Sequence, residues 1–192
     1  MEQQQRSLIR FATDAEDVAS GLHTFRDRLP RSATRITATI SELFALSSVL
    51  REIDNVEGDN QYSSSFYRVN DDLKTVFPPL RRTLDAVFNM FARSRERQYQ
   101  TIWEDLSYKM EREEGFGLLE RLELFRDFLR AQSEILQGHP PQNLSDLRRE
   151  LRFLSNAQEV SVLRLERMSL DTSGKLLPFG YTTYVEIGRA HV

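Results

Sequence analysis

The chain of 192 residues has a formal net charge of −3, and this weak negative charge gives no reason to expect nucleic acid or anionic lipid as a partner. It contains no cysteine, which excludes disulfides, thiolate metal sites and thiol nucleophiles. Hydrophobic residues make up 40% of the sequence, and we expect one helical domain with a buried core, located in the cytoplasm because no signal peptide or membrane-spanning run is evident.

Helix one is predicted to follow an irregular N-terminus. Residues 1–12 hold few large apolar side chains and are expected to be frayed. Residues 13–16, Thr-Asp-Ala-Glu, have the form of a capping box, in which a threonine hydroxyl and a glutamate carboxylate satisfy free backbone N–H groups. The helix should end before Pro30, and its apolar face consists of Val18, Leu22, Phe25 and Leu29.

Helix two is predicted to begin after Ser32, a candidate N-cap, and to be apolar on more than half of its surface. Its large apolar residues are Ile36, Ile40, Leu43, Phe44, Leu46, Val49, Leu50 and Ile53. Turn-forming residues at 55–60 and the serines at 63–65 then predict a mobile loop.

The most regular apolar pattern in the chain spans residues 66–91. Its large apolar side chains recur every three or four residues and form one stripe along a helix: Phe66, Val69, Leu73, Val76, Leu80, Leu84, Val87 and Phe91. Phe77 and Phe88 widen the stripe, so we expect this helix at the centre of the bundle, with neighbours on more than one side. Because Pro78 and Pro79 remove two backbone donors, we expect a kink there, which is either a static bend or a hinge.

Three further helices are predicted downstream. Helix four runs from about Gln98 to Glu113, and Gly115 is suited to a left-handed cap after it. Gly138 closes helix five, whose stripe consists of Leu118, Leu122, Phe125, Leu129 and Leu136. Helix six starts near Asn143, after a stiff loop at residues 139–141, and carries Leu144, Leu147, Leu151, Leu154, Val162, Leu165 and Met168.

The helical pattern ends at Asp171. Residues 176–185 are apolar without a clear helical or strand period, and residues 187–192 resemble the translation of a common sequencing adapter. We therefore expect residues 13–170 to form the bundle domain and residues 171–192 to form a truncated tail whose last residues are an artefact. The predicted fold class is all-α, an antiparallel bundle of five to seven helices with a kinked central helix and a disordered or truncated C-terminal tail.

No catalytic, cofactor or metal site is predicted. His23, His139 and His191 lie far apart in sequence, and none has a partner at helical spacing. Carboxylate-rich stretches such as residues 111–114 and 71–72 are typical of solvated helix surfaces, because no motif places a second functional group beside them. The Gly-Phe-Gly sequence that begins at Gly115 lacks the third glycine and the Lys-Ser/Thr end of a phosphate-binding loop.

The densest basic cluster consists of arginines among aromatic residues, a pattern that also occurs on nucleic-acid-binding surfaces: Arg81, Arg82, Arg93, Arg95 and Arg97. We favour an ordinary helix surface, because the aromatic residues continue the core stripe and nearby acidic residues dilute the positive charge. Trp103 is interpreted as an anchor in the core or in a groove.

Residues 21–30 and 41–53 resemble the N-terminal helical domains of fungal STAND (NLR-like) proteins. In those domains an apolar helix ends in a short break before a helix of the type Glu-Leu-x-x-Leu-Ser-x-x-Leu, which begins here at Glu42. Residues 14–170 as a whole more closely resemble uncharacterised helical proteins of filamentous ascomycetes, a resemblance that implies no activity. The STAND resemblance implies an intracellular signalling or adaptor bundle, although this chain has no nucleotide-binding motif and residues 1–12 are not the glycine-rich apolar helix of the membrane-permeabilising members.

Three functions follow from these patterns, in order of preference. The first is a non-enzymatic interaction or signalling-adaptor module that binds a protein partner or a second copy of itself through helix faces. The second is a membrane-associating bundle of the fungal cell-death type, and the third is an enzyme of unknown class. No small-molecule partner is identified.

Overall fold

The computed structural model describes residues 2–57, 63–93, 99–139 and 141–173, and these residues form six α-helices without a strand. The helices are α1 (Glu2–Arg26), α2 (Ala33–Glu57), α3 (Ser63–Arg93), α4 (Tyr99–Tyr108), α5 (Leu118–Leu136) and α6 (Leu144–Ser173). A short 3-10 turn, Pro30–Ser32, precedes α2, and a π-helical turn, Lys109–Glu113, follows α4. The predicted all-α bundle is confirmed.

Helix α1 is longer than the sequence predicts. It begins at Glu2, so a helix start at Thr13 after frayed residues is wrong. Leu8 and Phe11 are buried, and the Thr13 hydroxyl donates to the carbonyl oxygen of Ile9 at 3.0 Å, a bond that is made inside a helix and not at a cap. Much of the buried face near the N-terminus consists of alanines, which give a weak apolar signal: Ala12, Ala15 and Ala19.

Helix α2 buries fewer large side chains and more polar ones than predicted. Phe44, expected to widen its buried face, is 52% exposed, whereas Thr39 and Ser47 are buried. Both hydroxyls can leave water because they find acceptors: Thr39 donates to the carbonyl oxygen of Arg35, and Ser47 donates to the carboxylate of Glu16 on α1. The contact between α1 and α2 is therefore partly polar.

Helix α3 runs without interruption through Pro78 and Pro79 and contacts α1, α4, α5 and α6, which confirms its predicted central position. The predicted stripe is confirmed from residue 69 to residue 87, since each of these residues is at most 1% exposed: Val69, Leu73, Val76, Leu80, Leu84 and Val87. Phe91, its last predicted member, is only partly buried against the core. The side chain of Phe66 lies outside the described residues. Two side chains, Thr83 on α3 and Gln158 on α6, donate to the carbonyl oxygen of Pro79, which ties α6 to the proline-containing turn.

The glycine caps are placed as predicted, because Gly115 and Gly138 have positive φ angles of 82° and 84°. Helix α6 continues to Ser173, so the predicted end of the pattern at Asp171 is slightly early. Val162, predicted to be on its buried stripe, is 41% exposed, and the buried face passes through Gln158 and Ser161 instead. None of the described helices has an apolar stretch long enough to cross a membrane.

Several predictions concern residues that the structure does not describe. These are the centre of the predicted mobile loop (58–62), most of the predicted connection between helices three and four (94–97), one residue of the stiff loop (140) and most of the predicted tail (174–192). The two ends of the predicted mobile loop are helical instead, because residues 55–57 belong to α2 and residues 63–65 belong to α3.

Candidate functional site

An open groove with a volume of about 400 Å³ lies between α5 and α6. We call it the α5–α6 groove, and it is lined by Gly115, Phe116, Glu120, Glu123, Leu124, Asp127, Leu147 and Glu150. Leu124 and Leu147 form an apolar floor, with 6% and 9% of their surface exposed, and Phe116 is partly buried at one end. The remaining side chains of the lining are carboxylates, so the groove combines an apolar floor with acidic walls.

Helical spacing explains how this surface arises. Glu120, Leu124 and Asp127 are separated by four and three residues along α5, which places them on one face of that helix. On α6, Glu150 follows Leu147 by three residues and lies on the same face. The two helices therefore bring acidic side chains to both sides of a shared apolar strip.

The loop from Glu114 to Gly117 shapes one end of the groove. Gly115 reverses the chain in a left-handed conformation that side chains disfavour. The N–H of Gly117, just before α5, donates to the carboxylate of Glu120 at 2.9 Å. This contact satisfies a backbone donor that the start of the helix would otherwise leave free, and it fixes the loop against α5.

A buried arginine holds the same loop from beneath. Arg121 is 1% exposed and donates to the Glu114 carboxylate at 2.7 Å, to the carbonyl oxygen of Phe116 at 2.8 Å and to that of Met110 at 3.0 Å. Burial lowers the pKa of Arg121, while the neighbouring Glu114 carboxylate raises it. The guanidinium therefore connects α5 to the π-helical turn and to the loop, and it sets the position of Phe116 at the end of the groove.

Phe153 of α6 extends the apolar surface out of the groove. It is 59% exposed, and its ring meets the Phe116 ring edge-on with a centroid distance of 5.9 Å. A Cβ atom on Gly115 would lie 3.3 Å from the Phe153 ring, so the small glycine allows this close approach. Val160 and Leu163, 57% and 53% exposed, follow Phe153 by seven and ten residues and continue this apolar face along α6.

The groove is negatively charged. Glu123 and Glu150 make no hydrogen bond or ion pair within the part of the chain that the structure describes, whereas Asp127 pairs with Arg126 at 2.9 Å. Burial raises the pKa of Glu42 on the neighbouring α2, the charge of Arg126 opposes this rise, and the charges of Glu123 and Asp127 add to it. The acidic residues of the groove thus make the ionisation of a nearby carboxyl less favourable.

The Gly-Phe-Gly sequence at residues 115–117 contributes its first two residues to the lining of the groove. The interpretation of residues 111–114 as a solvated surface is wrong for Glu114, which is 5% exposed and paired with Arg121. The histidines do not contribute to the described groove. His23 and His139 are exposed, His191 is outside the described residues, and no cluster of His, Asp and Glu within the described ranges is arranged to hold a metal ion. Of the two positions predicted for Trp103, a groove or the core, the structure shows the core, because Trp103 is 4% exposed and lies beside Phe25.

Described members of the predicted basic cluster make contacts within the chain. Arg81 pairs with Asp14 on α1 and lies over the Phe11 ring, with its guanidinium carbon 4.5 Å from the ring centroid. Arg82 pairs with Glu159 on α6 at 3.2 Å. The side chains of Arg93, Arg95 and Arg97 are outside the described residues.

Neither the groove nor the burial of Arg121 is predicted from the sequence. Carboxylates at helical spacing on α5 are a possible signal for the groove, but the same spacing is common on ordinary exposed helix faces. Phe153 carries a clearer signal, because it is a large aromatic residue off the predicted stripe of α6.

No protein-family model, curated protein or solved structure matches the chain. The resemblance to fungal STAND helical domains therefore stays a prediction, and the functional proposals rest on the residues themselves.

Proposed function

We propose that the chain is a non-enzymatic interaction module that binds a protein partner through the α5–α6 groove and the adjoining face of α6. The observation that carries the proposal is the position of Phe153, which is more than half exposed and is held against Phe116 at the end of an apolar-floored groove. A large aromatic side chain beside a groove is typical of the anchors that dominate binding energy in protein interfaces.

The contacts that hold the groove in shape favour a binding surface over an incidental gap between helices. Its floor and walls come from two helices, and its end is fixed by the bonds of Arg121 to the Glu114 carboxylate and to two backbone carbonyls. A surface that is ordered before binding loses little conformational entropy when a partner docks. The adaptor role implied by the STAND resemblance is part of the same proposal.

The test is a selection of random peptides displayed on phage against the purified chain, followed by affinity measurements on the enriched peptides. We expect them to bind Phe153→Ser roughly 30-fold more weakly than the unmodified chain, as for the loss of an interface anchor. Phe44→Ser is the matched control, because Phe44 is a phenylalanine of similar exposure, 52%, on α2. Failure to enrich any peptide, or equal sensitivity to both substitutions, would contradict the proposal.

The same variants address the membrane alternative. The chain is mixed with vesicles of phosphatidylserine and phosphatidylcholine, and co-sedimentation is measured. We expect no sedimentation with the vesicles, because acidic groove walls repel anionic headgroups. Co-sedimentation that Phe153→Ser abolishes and Phe44→Ser preserves would assign this face to lipid and overturn the proposal of a protein partner.

A further inference from the structure

We infer that the segment bound in the α5–α6 groove is a basic amphipathic helix of the partner protein. This inference rests on the proposed function and specifies the chemistry of its partner. An apolar strip formed by Phe116, Leu124 and Leu147 continues onto the exposed Phe153. A strip between two helices suits the apolar face of a third helix, whose anchors recur every three or four residues.

Carboxylates flank this strip on both sides. Glu123 and Asp127 approach it from α5 and Glu150 approaches it from α6, and no lysine or arginine lines the groove. Lysine or arginine residues that flank the apolar face of a docked helix would therefore meet a carboxylate on either side. Glu123 and Glu150 are available for such contacts, because neither makes a hydrogen bond or an ion pair with another described residue, although the charge of Glu123 also acts on Arg126.

Other occupants match the groove less well. The chain's own residues 174–192 contain Lys175 and Arg189 against Glu186, so this segment is barely basic. A second copy of the chain carries a net charge of −3 and would add to the repulsion at an acidic surface. A metal ion would use the carboxylates alone and would leave the apolar floor and Phe153 without a role.

The test uses two synthetic peptides of about 14 residues, or four helical turns, with capped ends. One has leucine on one helical face and lysine elsewhere, and the other has glutamate in place of every lysine. Fluorescence anisotropy measures the affinity of each for the full chain. We expect binding of the lysine peptide that weakens as salt rises from about 0.05 M to about 0.5 M, and no binding of the glutamate peptide.

Charge-removing variants separate the groove from the general negative charge of the protein. Glu123→Gln with Glu150→Gln should weaken binding of the lysine peptide roughly 2- to 30-fold, the range for losing two exposed ion pairs. Asp17→Asn with Asp105→Asn is the matched control, since it removes two exposed carboxylates on α1 and α4 and should leave the affinity unchanged. An equal effect of the two double variants would overturn the inference.

The inference and the proposed function fail in different ways. If the displayed peptides depend on Phe153 but are neutral or acidic, the groove binds proteins and the partner is not basic. If the free chain is a dimer in sedimentation and the lysine peptide dissociates it, a second copy is the occupant of the groove and the inference is wrong. If the lysine peptide binds more tightly once residues 174–192 are deleted, the chain's own C-terminal segment is the occupant and the inference is wrong. Binding of the lysine peptide that depends on both Phe153 and the two glutamates supports the inference.

Discussion

Replacing Arg121 by methionine tests whether the loop at the end of the groove is held as the structure indicates. Methionine keeps a long side chain in the buried site but removes the positive charge and all three hydrogen bonds, to Glu114 and to the carbonyl oxygens of Met110 and Phe116. The Glu114 carboxylate, 5% exposed, is left with the more distant Lys109 at 3.8 Å. The variant therefore contains a buried charge whose main partner is gone.

The expected loss of stability follows from this geometry. Removing one partner of a buried ion pair costs about 3–5 kcal/mol, and the Phe116 carbonyl, which loses its donor, costs about 1–3 kcal/mol more if it does not reach water. The Met110 carbonyl keeps a donor, because it also accepts from the N–H of Phe116 at 3.1 Å. Because the loop can relax toward solvent and recover part of the second cost, we expect Arg121→Met to lower the free energy of unfolding by roughly 3–5 kcal/mol. That is a large share of the stability of a typical domain.

The assay is urea unfolding followed by circular dichroism, with Arg130→Met as the control. Arg130 is an exposed arginine on the same helix, so its replacement should change the free energy of unfolding by less than about 0.5 kcal/mol. A second arm combines Arg121→Met with Glu114→Leu. The double variant should be more stable than Arg121→Met alone, because it no longer buries an uncompensated carboxylate. If Arg121→Met costs no more than Arg130→Met, the guanidinium does not hold the loop.

Two further predictions concern the core and the contact between α1 and α2. Leu84→Ala truncates a side chain that is 1% exposed and should lower the free energy of unfolding by roughly 2–5 kcal/mol. Asn89→Ala at an exposed site of the same helix is the control, and an equal effect of the two substitutions would contradict the burial of Leu84. The hydrogen bond from Ser47, followed by that from Arg51, lowers the pKa of Glu16 in the folded state. The ionised carboxylate therefore stabilises the fold at pH values above the unfolded-state pKa. This contribution is lost as the pH falls through the lowered folded-state pKa. Glu16→Gln should therefore lower the free energy of unfolding by about 1 kcal/mol near neutral pH and by progressively less in acid. A loss of stability that is the same at neutral and at acid pH would show that the charge of Glu16 is not involved.

The sequence predicts helices well where large apolar side chains repeat. The stripe of α3 and the glycine caps that follow α4 and α5 can be recognised in the sequence, because leucine, valine and glycine carry strong signals at fixed spacing. The start of α1 is missed because Leu8 and Phe11 are too few large buried residues to show a period before Thr13, and because the pattern at residues 13–16 has the form of a helix start. Phe44 and Val162 are misplaced because periodicity identifies a helix but does not fix which side faces its neighbours.

The candidate site depends on tertiary contacts that no local pattern contains. Arg121 would be interpreted as a surface residue from its type, and it can be buried because the π-helical turn and the loop present two carbonyl oxygens and the Glu114 carboxylate to it. The groove likewise exists only when Leu124 and Leu147, on separate helices, meet beneath the acidic side chains. Sequence spacing gives each helix face separately, whereas the groove comes from how the two faces pack together.

The central claim is that the partner binds in the α5–α6 groove, and a titration followed by amide chemical shifts tests it most directly. The peptide that binds most tightly in the display selection is added to the isotopically labelled chain, and the chemical shift of each backbone amide is followed. We predict that the largest changes lie at residues 114–127 and 147–153, and that Phe153→Ser reduces them while Phe44→Ser does not. Largest changes on α1 or α2, with the groove residues unaffected, would contradict the claim.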